Sequence, residues 1–262
     1  MSDNAEKNVL VVDVGNTVTR LGLFGGAGDP DTWSLTTPER LTADEAWLML
    51  EGVLAALGAG ALDGTILGCV VPPLSDAWRD ALARVSDTRP LVVGPGLRTG
   101  VRMRYDDPSE VGADRVADVV AARETYGAPV VVVDLGTTTN FDVVDEGGAF
   151  VGGIIAPGVA LGARSLSAAA ARLPLIELRA PATVVGRSTR AAMESGVVLG
   201  EVARIDGLLD AIAAETGLDA PVVLTGDGAR EVAGLLRHDA RVDDTLTLRG
   251  LWMLWRTNHR ER

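Results

Sequence analysis

Two aspartates close two nearly identical runs of the chain. Residues 9–17 read VLVVDVGNT and residues 130–138 read VVVVDLGTT, so that Asp13 and Asp134 lie 121 residues apart in a chain of 262. An apolar strand that turns back through Asp-x-Gly-x-Thr can handle phosphate. Gly15 lets the backbone come close to an anion, and successive N–H groups of the turn from Val14 through Val18 can form an anion-binding concavity. Asn16, Thr17 and Thr19 add neutral donors and Arg20 a positive charge. Asp13, at the strand end, offers hard oxygens to Mg²⁺, directly or through water. In the second copy Gly136 and Thr137 are placed to touch phosphates, and Asp134 is a candidate cation ligand. One such motif alone also fits an ordinary hairpin; two copies in register point to a duplicated fold holding a nucleotide between its halves.

A second group of residues suits proton transfer. Glu110, Asp114 and Asp118 are spaced four apart over a predicted helix at 108–126. Like charges on one helix face repel, and a carboxylate so placed in a cleft has a raised pKa and can serve as a general base. The spacing does not choose among the three, and an acidic stripe is also what a solvated face looks like. Glycine-dense segments follow. Gly152-Gly153 and Pro157-Gly158 open a helix whose N-terminus favours anions. Ser188 and Thr189 either cap a long helix or face a ligand, and Thr225-Gly226-Asp227-Gly228 is a strand-to-helix turn.

What the chain lacks narrows the chemistry further. Lys7 is the only lysine, which leaves no P-loop or Schiff-base lysine. The two histidines, His238 and His259, come late and far from any motif, so histidine triads and most zinc sites are not expected. A net charge of −12 argues against nucleic-acid or anionic-membrane partners. No apolar run reaches the roughly 20 residues of a membrane span. The single cysteine, Cys69, fits a reducing, cytoplasmic setting and reads as a small buried hydrophobe.

The elements that must position these groups alternate between strand and helix. Strands are expected at 9–14, 18–24, 65–71, 91–93, 130–134, 140–144, 149–155 and 221–224. Helices are expected at 42–57 with a Thr42/Glu45 capping box, at 74–85 after Pro72-Pro73, at 108–126 with Asp107 as cap and Glu110 completing a box, at 159–171, at about 189–215, at 228–236 and at 246–255. This is an α/β pattern with mixed sheets. The expected organisation is a solvated N-terminal arm at 1–8, one domain at 9–117 and a second at 118–262 around a central cleft. Trp252 and Trp255 are read as core or interface.

Taken in order, these residues resemble one family, the type III pantothenate kinases, within the superfamily of acetate and sugar kinases, actin and heat-shock ATPases. The resemblance runs from Val9 to Asn258. It rests on Asp13 to Thr17, Val70-Val71-Pro72, Tyr105, Gly112-Ala113-Asp114-Arg115, Asp134 to Thr137, Phe141-Asp142, Gly152-Gly153 with Pro157-Gly158, Gly186 through Thr189 to Ser195-Gly196, and Leu246 to Leu251. It implies a duplicated ribonuclease-H-like (actin-like ATPase) fold and ATP-dependent phosphorylation of pantothenate, the first step of coenzyme A biosynthesis. It also implies roles. Asp114 would be the catalytic base. Tyr105, Gly112, Ala113, Asp114, Arg115 and Thr189 would hold pantothenate. Asp13, Val14, Gly15, Asn16, Thr17, Val18, Thr19, Arg20 and Thr137 would hold ATP. Asp134 would bind a monovalent cation, K⁺ or NH₄⁺, with Mg²⁺ accompanying ATP near Asp13. The family forms homodimers. Two positions depart from its pattern: Val18 replaces an asparagine and Asp227 stands in a glycine pair. These changes imply one lost polar contact and weaker adenine recognition, and they motivate the alternative of a catalytically weak regulatory relative.

Overall fold

The computed structural model describes residues 7–25, 29–169 and 173–259. Most of the predicted arm, residues 26–28 and the end of the predicted helix at 159–171 lie outside them. Two compact units emerge from the packing. One comprises the described parts of Met1–Arg102, Asp106–Ala121 and Thr245–Arg262; the other comprises Met103–Tyr105 and Ala122–Asp244. This division is not the single cut expected at 117/118, because the C-terminal helix packs with the N-terminal strands.

In the first unit, β1 (Val9–Val14), β2 (Val18–Phe24) and β3 (Asp31–Thr36) form an antiparallel meander. Helix α1 (Ala43–Leu57) starts as the sequence predicts: the Thr42 hydroxyl accepts from the Glu45 N–H at 3.2 Å while the Glu45 carboxylate accepts from the Thr42 N–H at 2.8 Å. Gly58, at φ 60°, ends the helix in the left-handed conformation. Strand β4 (Gly64–Cys69) pairs parallel with β1. Helix α2 (Pro72–Val85) begins two residues earlier than expected, since proline is well suited to the first helical positions. Strand β5 (Leu91–Val92) closes the order β3-β2-β1-β4-β5. Leu10, Val12, Leu50, Leu67, Trp78 and Leu82 pack together with no exposure. Truncating Trp78 to alanine there would cost about 3–5 kcal/mol.

Strand β6 (Arg102–Met103) is followed by a 3₁₀ turn at Pro108–Glu110 and by α3 (Ala113–Tyr126). The single helix expected at 108–126 is thus broken. Asp107 caps only the 3₁₀ turn, through the Ser109 N–H at 2.9 Å, and Val111 is extended at φ −77°, ψ 122°. Glu110 therefore shares no helix face with Asp114 and Asp118. From Ala113 to Ala122 every residue of α3 except Asp114 is buried, which explains its weak amphipathic pattern.

In the second unit, β7 (Val130–Leu135), β8 (Thr138–Val144) and β9 (Ala149–Pro157) repeat the antiparallel meander. Helices α4 (Val159–Ala169) and α5 (Thr189–Glu194) follow, then a π-turn at Ser195–Leu199 and α6 (Gly200–Thr216). Strand β10 (Val222–Gly226) pairs parallel with β7, α7 (Ala229–Ala233) follows, β11 (Ala240–Val242) pairs parallel with β10, and α8 (Leu246–Asn258) ends the described chain in the first unit. The order β11-β10-β7-β8-β9-β6 carries the same arrangement as the first sheet: a three-stranded antiparallel meander whose first strand is joined by two parallel strands. The architecture is a duplicated ribonuclease-H-like, actin-like ATPase fold of class α/β with mixed sheets. Among the described residues, no helix is long and apolar enough to cross a membrane.

Candidate active site

Strand β1 delivers Asp13 to its C-terminal end, where the side chain is 6% exposed. The chain reverses through Gly15 to Val18, and the Gly15 N–H donates to the Val18 carbonyl at 3.1 Å. Asn16 and Thr17 project at the exposed tip, whereas Val14 and Thr19 are buried and Arg20 pairs across the ladder from Asp13. A residue not anticipated from the sequence fixes this turn. Thr37, just past β3, donates its hydroxyl to the Gly15 carbonyl at 2.8 Å, its N–H to the Thr17 carbonyl at 2.9 Å, and shares a 2.9 Å hydroxyl contact with Thr19. Both ends of the turn are thus tied to one residue.

The same unit sets the first turn of α3, which carries Asp114, against β4, the strand next to β1. Asp13 pairs with Gly68 on β4, and a Cβ at Gly68 would stand 3.6 Å from the Ala113 side chain and 3.0 Å from Leu251. The missing side chain makes room for Leu251 of α8, and the first turn of α3 lies within ordinary contact range of this strand next to β1. Asp114 lies in that turn and accepts the Arg115 N–H at 2.8 Å. Burial pushes its carboxyl above the ordinary aspartate value, against the pull of the Arg115 amide and guanidinium. Asp118, one turn on, is 1% exposed and accepts the Thr247 hydroxyl at 2.7 Å. The three acids of the predicted stripe therefore separate: Glu110 on an exposed turn, Asp118 engaged with α8, and Asp114 partly exposed at the helix start. Gly112 sits beside Val70 and Arg115 is buried.

In the second unit, Asp134 ends β7 opposite Asn140, with the turn closed by the Gly136 N–H to the Thr138 carbonyl at 3.0 Å. This turn is one residue shorter than its partner: Val14 faces Thr19, but Leu135 faces Thr139. Beyond the turns, Thr139 and Asn140, not Asn140 and Phe141, match Thr19 and Arg20. The Thr137 carbonyl accepts the Gly158 N–H at 3.0 Å, which places Pro157-Gly158 against the turn. Gly226, at φ +86°, leaves room beside Asp134, where a Cβ would press on the carboxylate. Tyr105 stacks on Phe150 of β9, centroids 5.6 Å apart. Thr189 is exposed at the first position of α5, and Ser188 is the cap, accepting the Ala191 N–H at 3.2 Å.

The two departures in the sequence meet the backbone's needs. Val18 contributes its carbonyl to Gly15, a bond indifferent to side chain. In the turn after β10 both left-handed positions are glycine, Gly226 at +86° and Gly228 at +76°. Asp227 falls between them, exposed, with its N–H on the Leu135 carbonyl at 2.6 Å. Cys69 donates to the Val71 carbonyl at 3.3 Å, and burial raises its thiol pKa, as expected of an inert cysteine. Trp255 is 4% exposed and Trp252 stacks on Phe24 at 5.2 Å.

A family model described as type III pantothenate kinase matches residues 9–211. The chain belongs to the type III pantothenate kinase family. A type III pantothenate kinase of Anaeromyxobacter sp. (strain K) is 40% identical over 252 residues, spanning 95% of this chain and 99% of that one. One of Acidobacterium capsulatum is 38% identical over 262 residues, spanning 97% and 96%. Among solved structures, the activator of the 2-hydroxyisocaproyl-CoA dehydratase from Clostridium difficile, with bound ADPNP, superposes with a TM-score of 0.56 at 12% identity, covering 97% of this chain and 98% of that one. That likeness concerns the fold. This member of the type III pantothenate kinase family carries an aspartate near the end of each repeated strand, Asp13 and Asp134, and Asp114 in the first turn of α3.

Proposed function

We propose that this chain transfers the γ-phosphoryl group of ATP to the primary hydroxyl of pantothenate, giving 4′-phosphopantothenate and ADP at the entry to coenzyme A biosynthesis. The observation that carries the mechanism is Asp114: a carboxylate in the first turn of a buried helix that packs on the strand beside β1, in a chain of the type III pantothenate kinase family. Asp114 takes the proton of the attacking hydroxyl, the hydroxyl oxygen bonds to the γ-phosphorus, and the bond from that phosphorus to the bridging oxygen of ADP breaks. Phosphoryl transfer of this kind depends on positioning and charge stabilisation more than on covalent chemistry.

The turn from Asp13 to Arg20 and the Thr137 turn hold the phosphates of ATP. Tyr105, Gly112 to Arg115 and Thr189 hold pantothenate. Mg²⁺ can be held by one carboxylate together with substrate phosphates, and Asp13, buried at its strand end, is the fitting donor. Bound there, Mg²⁺ would neutralise charge on the phosphates. Asp134 is an oxygen donor suited to a potassium or ammonium ion. A homodimer follows from the family reading, and the exposed apolar side chains of Leu175, Val184 and Val185 are candidates for its interface. We place the enzyme in the cytoplasm, in line with its one free cysteine.

The test is a coupled ADP-release assay with pantothenate, ATP, Mg²⁺ and K⁺. Pantothenate-dependent release is expected. Its absence from folded protein across several nucleoside triphosphates would contradict the reading.

A further inference from the structure

Thr139 is fully buried on β8, two residues beyond Thr137, and its hydroxyl donates to the Glu201 carboxylate at 2.6 Å. Glu201 lies at the second position of α6, directly after the π-turn, and is 4% exposed. A buried carboxylate is costly unless paired, and Glu201 is paired with Arg204, one helical turn away. Arg204 reaches further: its guanidinium donates to the Pro157 carbonyl at 2.5 Å. The next residue, Gly158, donates to Thr137, and it sits so close that a Cβ would collide with the Gly136 carbonyl. One acid–base pair thus reaches both flanks of the turn at 136–138: the strand after it through Thr139, and the segment packed on it through Pro157. In the first hairpin the matching threonine, Thr19, meets a neutral hydroxyl of Thr37 instead.

We propose that Glu201 is a positioning residue for the nucleotide: through Thr139 and Arg204 it holds the Thr137 turn in the shape that receives phosphate. Glu201 need not touch ATP; buried beneath the turn, it acts through Thr139 and Pro157. π-turns are found at functional sites, and this one ends two residues before Glu201, which must point inward. The proposal rests on the reading that the Thr137 turn takes nucleotide phosphate.

The experiment measures the affinity of the full chain for the Mg²⁺ complex of a non-hydrolysable ATP analogue, with pantothenate affinity and melting temperature in parallel. The variants are Thr139→Val, which keeps the side-chain shape, Glu201→Gln, and Thr139→Ser as the conservative control. The expected result is nucleotide binding weakened about tenfold in Thr139→Val and Glu201→Gln, a size set by the loss of one charge-assisted hydrogen bond. Pantothenate affinity stays unchanged, and Thr139→Ser behaves as the parent. Unchanged nucleotide affinity in Thr139→Val overturns the proposal. So does an equal weakening for both ligands, which is what a merely structural role gives. If the parent chain does not bind the analogue at all, the nucleotide reading itself fails and this inference with it.

Discussion

Thr19 and Thr139 hold the same place in the two hairpins. Each faces the residue that follows the strand-end aspartate, Val14 in one case and Leu135 in the other, and each is fully buried. Their hydroxyls meet different partners, Thr37 and Glu201. The repeat is therefore close at the strands and divergent in what steadies its turns, and the two turns should respond differently to substitution.

Thr37 should matter to the first turn as a matter of hydroxyl chemistry. Thr37→Val removes the hydrogen bond to the Gly15 carbonyl and the contact with Thr19, each worth about 0.5–1.5 kcal/mol net. The expected result is a rise of about tenfold in KM for ATP with little change in KM for pantothenate. Thr37→Ser should behave as the parent, and initial-rate kinetics with each substrate varied in turn checks this.

Asp114→Asn removes the base and leaves an isosteric side chain. A positioned general base is worth about 10²–10⁴ in rate. The kcat should fall within that range while pantothenate affinity, measured calorimetrically, changes by less than about tenfold.

The raised pKa of Asp114 has two consequences of fixed sign. Catalysis needs the carboxylate, so kcat/KM should fall toward acid pH with its inflection above the ordinary aspartate value, and Asp114→Asn should lack that limb. For stability, a carboxyl whose folded pKa exceeds its unfolded value binds its proton more tightly when folded. Its contribution is most favourable below the unfolded pKa and is lost as pH rises through the folded pKa. Denaturant melts of parent and Asp114→Asn across that window should converge at low pH and diverge in favour of the variant above it.

Gly250 tests the seat of α3. A Cβ there would collide with the Ala117 backbone, so Gly250→Ala must push α8 away from the helix that carries Asp114. Overpacking of this kind costs about 1–3 kcal/mol. A lowered denaturation midpoint with unchanged slope is expected, together with a loss of kcat.

Local signals were legible in the sequence and tertiary ones were not. The Thr42/Glu45 capping box and both Asp-x-Gly hairpins are short-range devices, and the chain forms them as expected. Strand β3 was missed because DTWSLT offers only two apolar residues, Trp33 and Leu35; it is an exposed edge strand. The break at Val111-Gly112 was missed because an Asp cap followed by proline opens a 3₁₀ turn as readily as an α-helix. Without that break, Glu110 could not be told from Asp114. Thr37 and Glu201 lie 22 and 62 residues from the groups they hold, and nothing in their own neighbourhoods marks them. The return of α8 to the first unit is likewise a packing outcome, set by Gly64, Gly68 and Gly250 making room at its contacts.

The central claim is that Asp114 deprotonates pantothenate for attack on ATP. The most direct measurement is mass-spectrometric detection of 4′-phosphopantothenate in a single turnover, parent against Asp114→Asn, at saturating ATP, Mg²⁺ and K⁺. Rapid product from the parent and formation slowed at least about a hundredfold in the variant is the predicted result. Equal rates, or no product from folded parent, would contradict it.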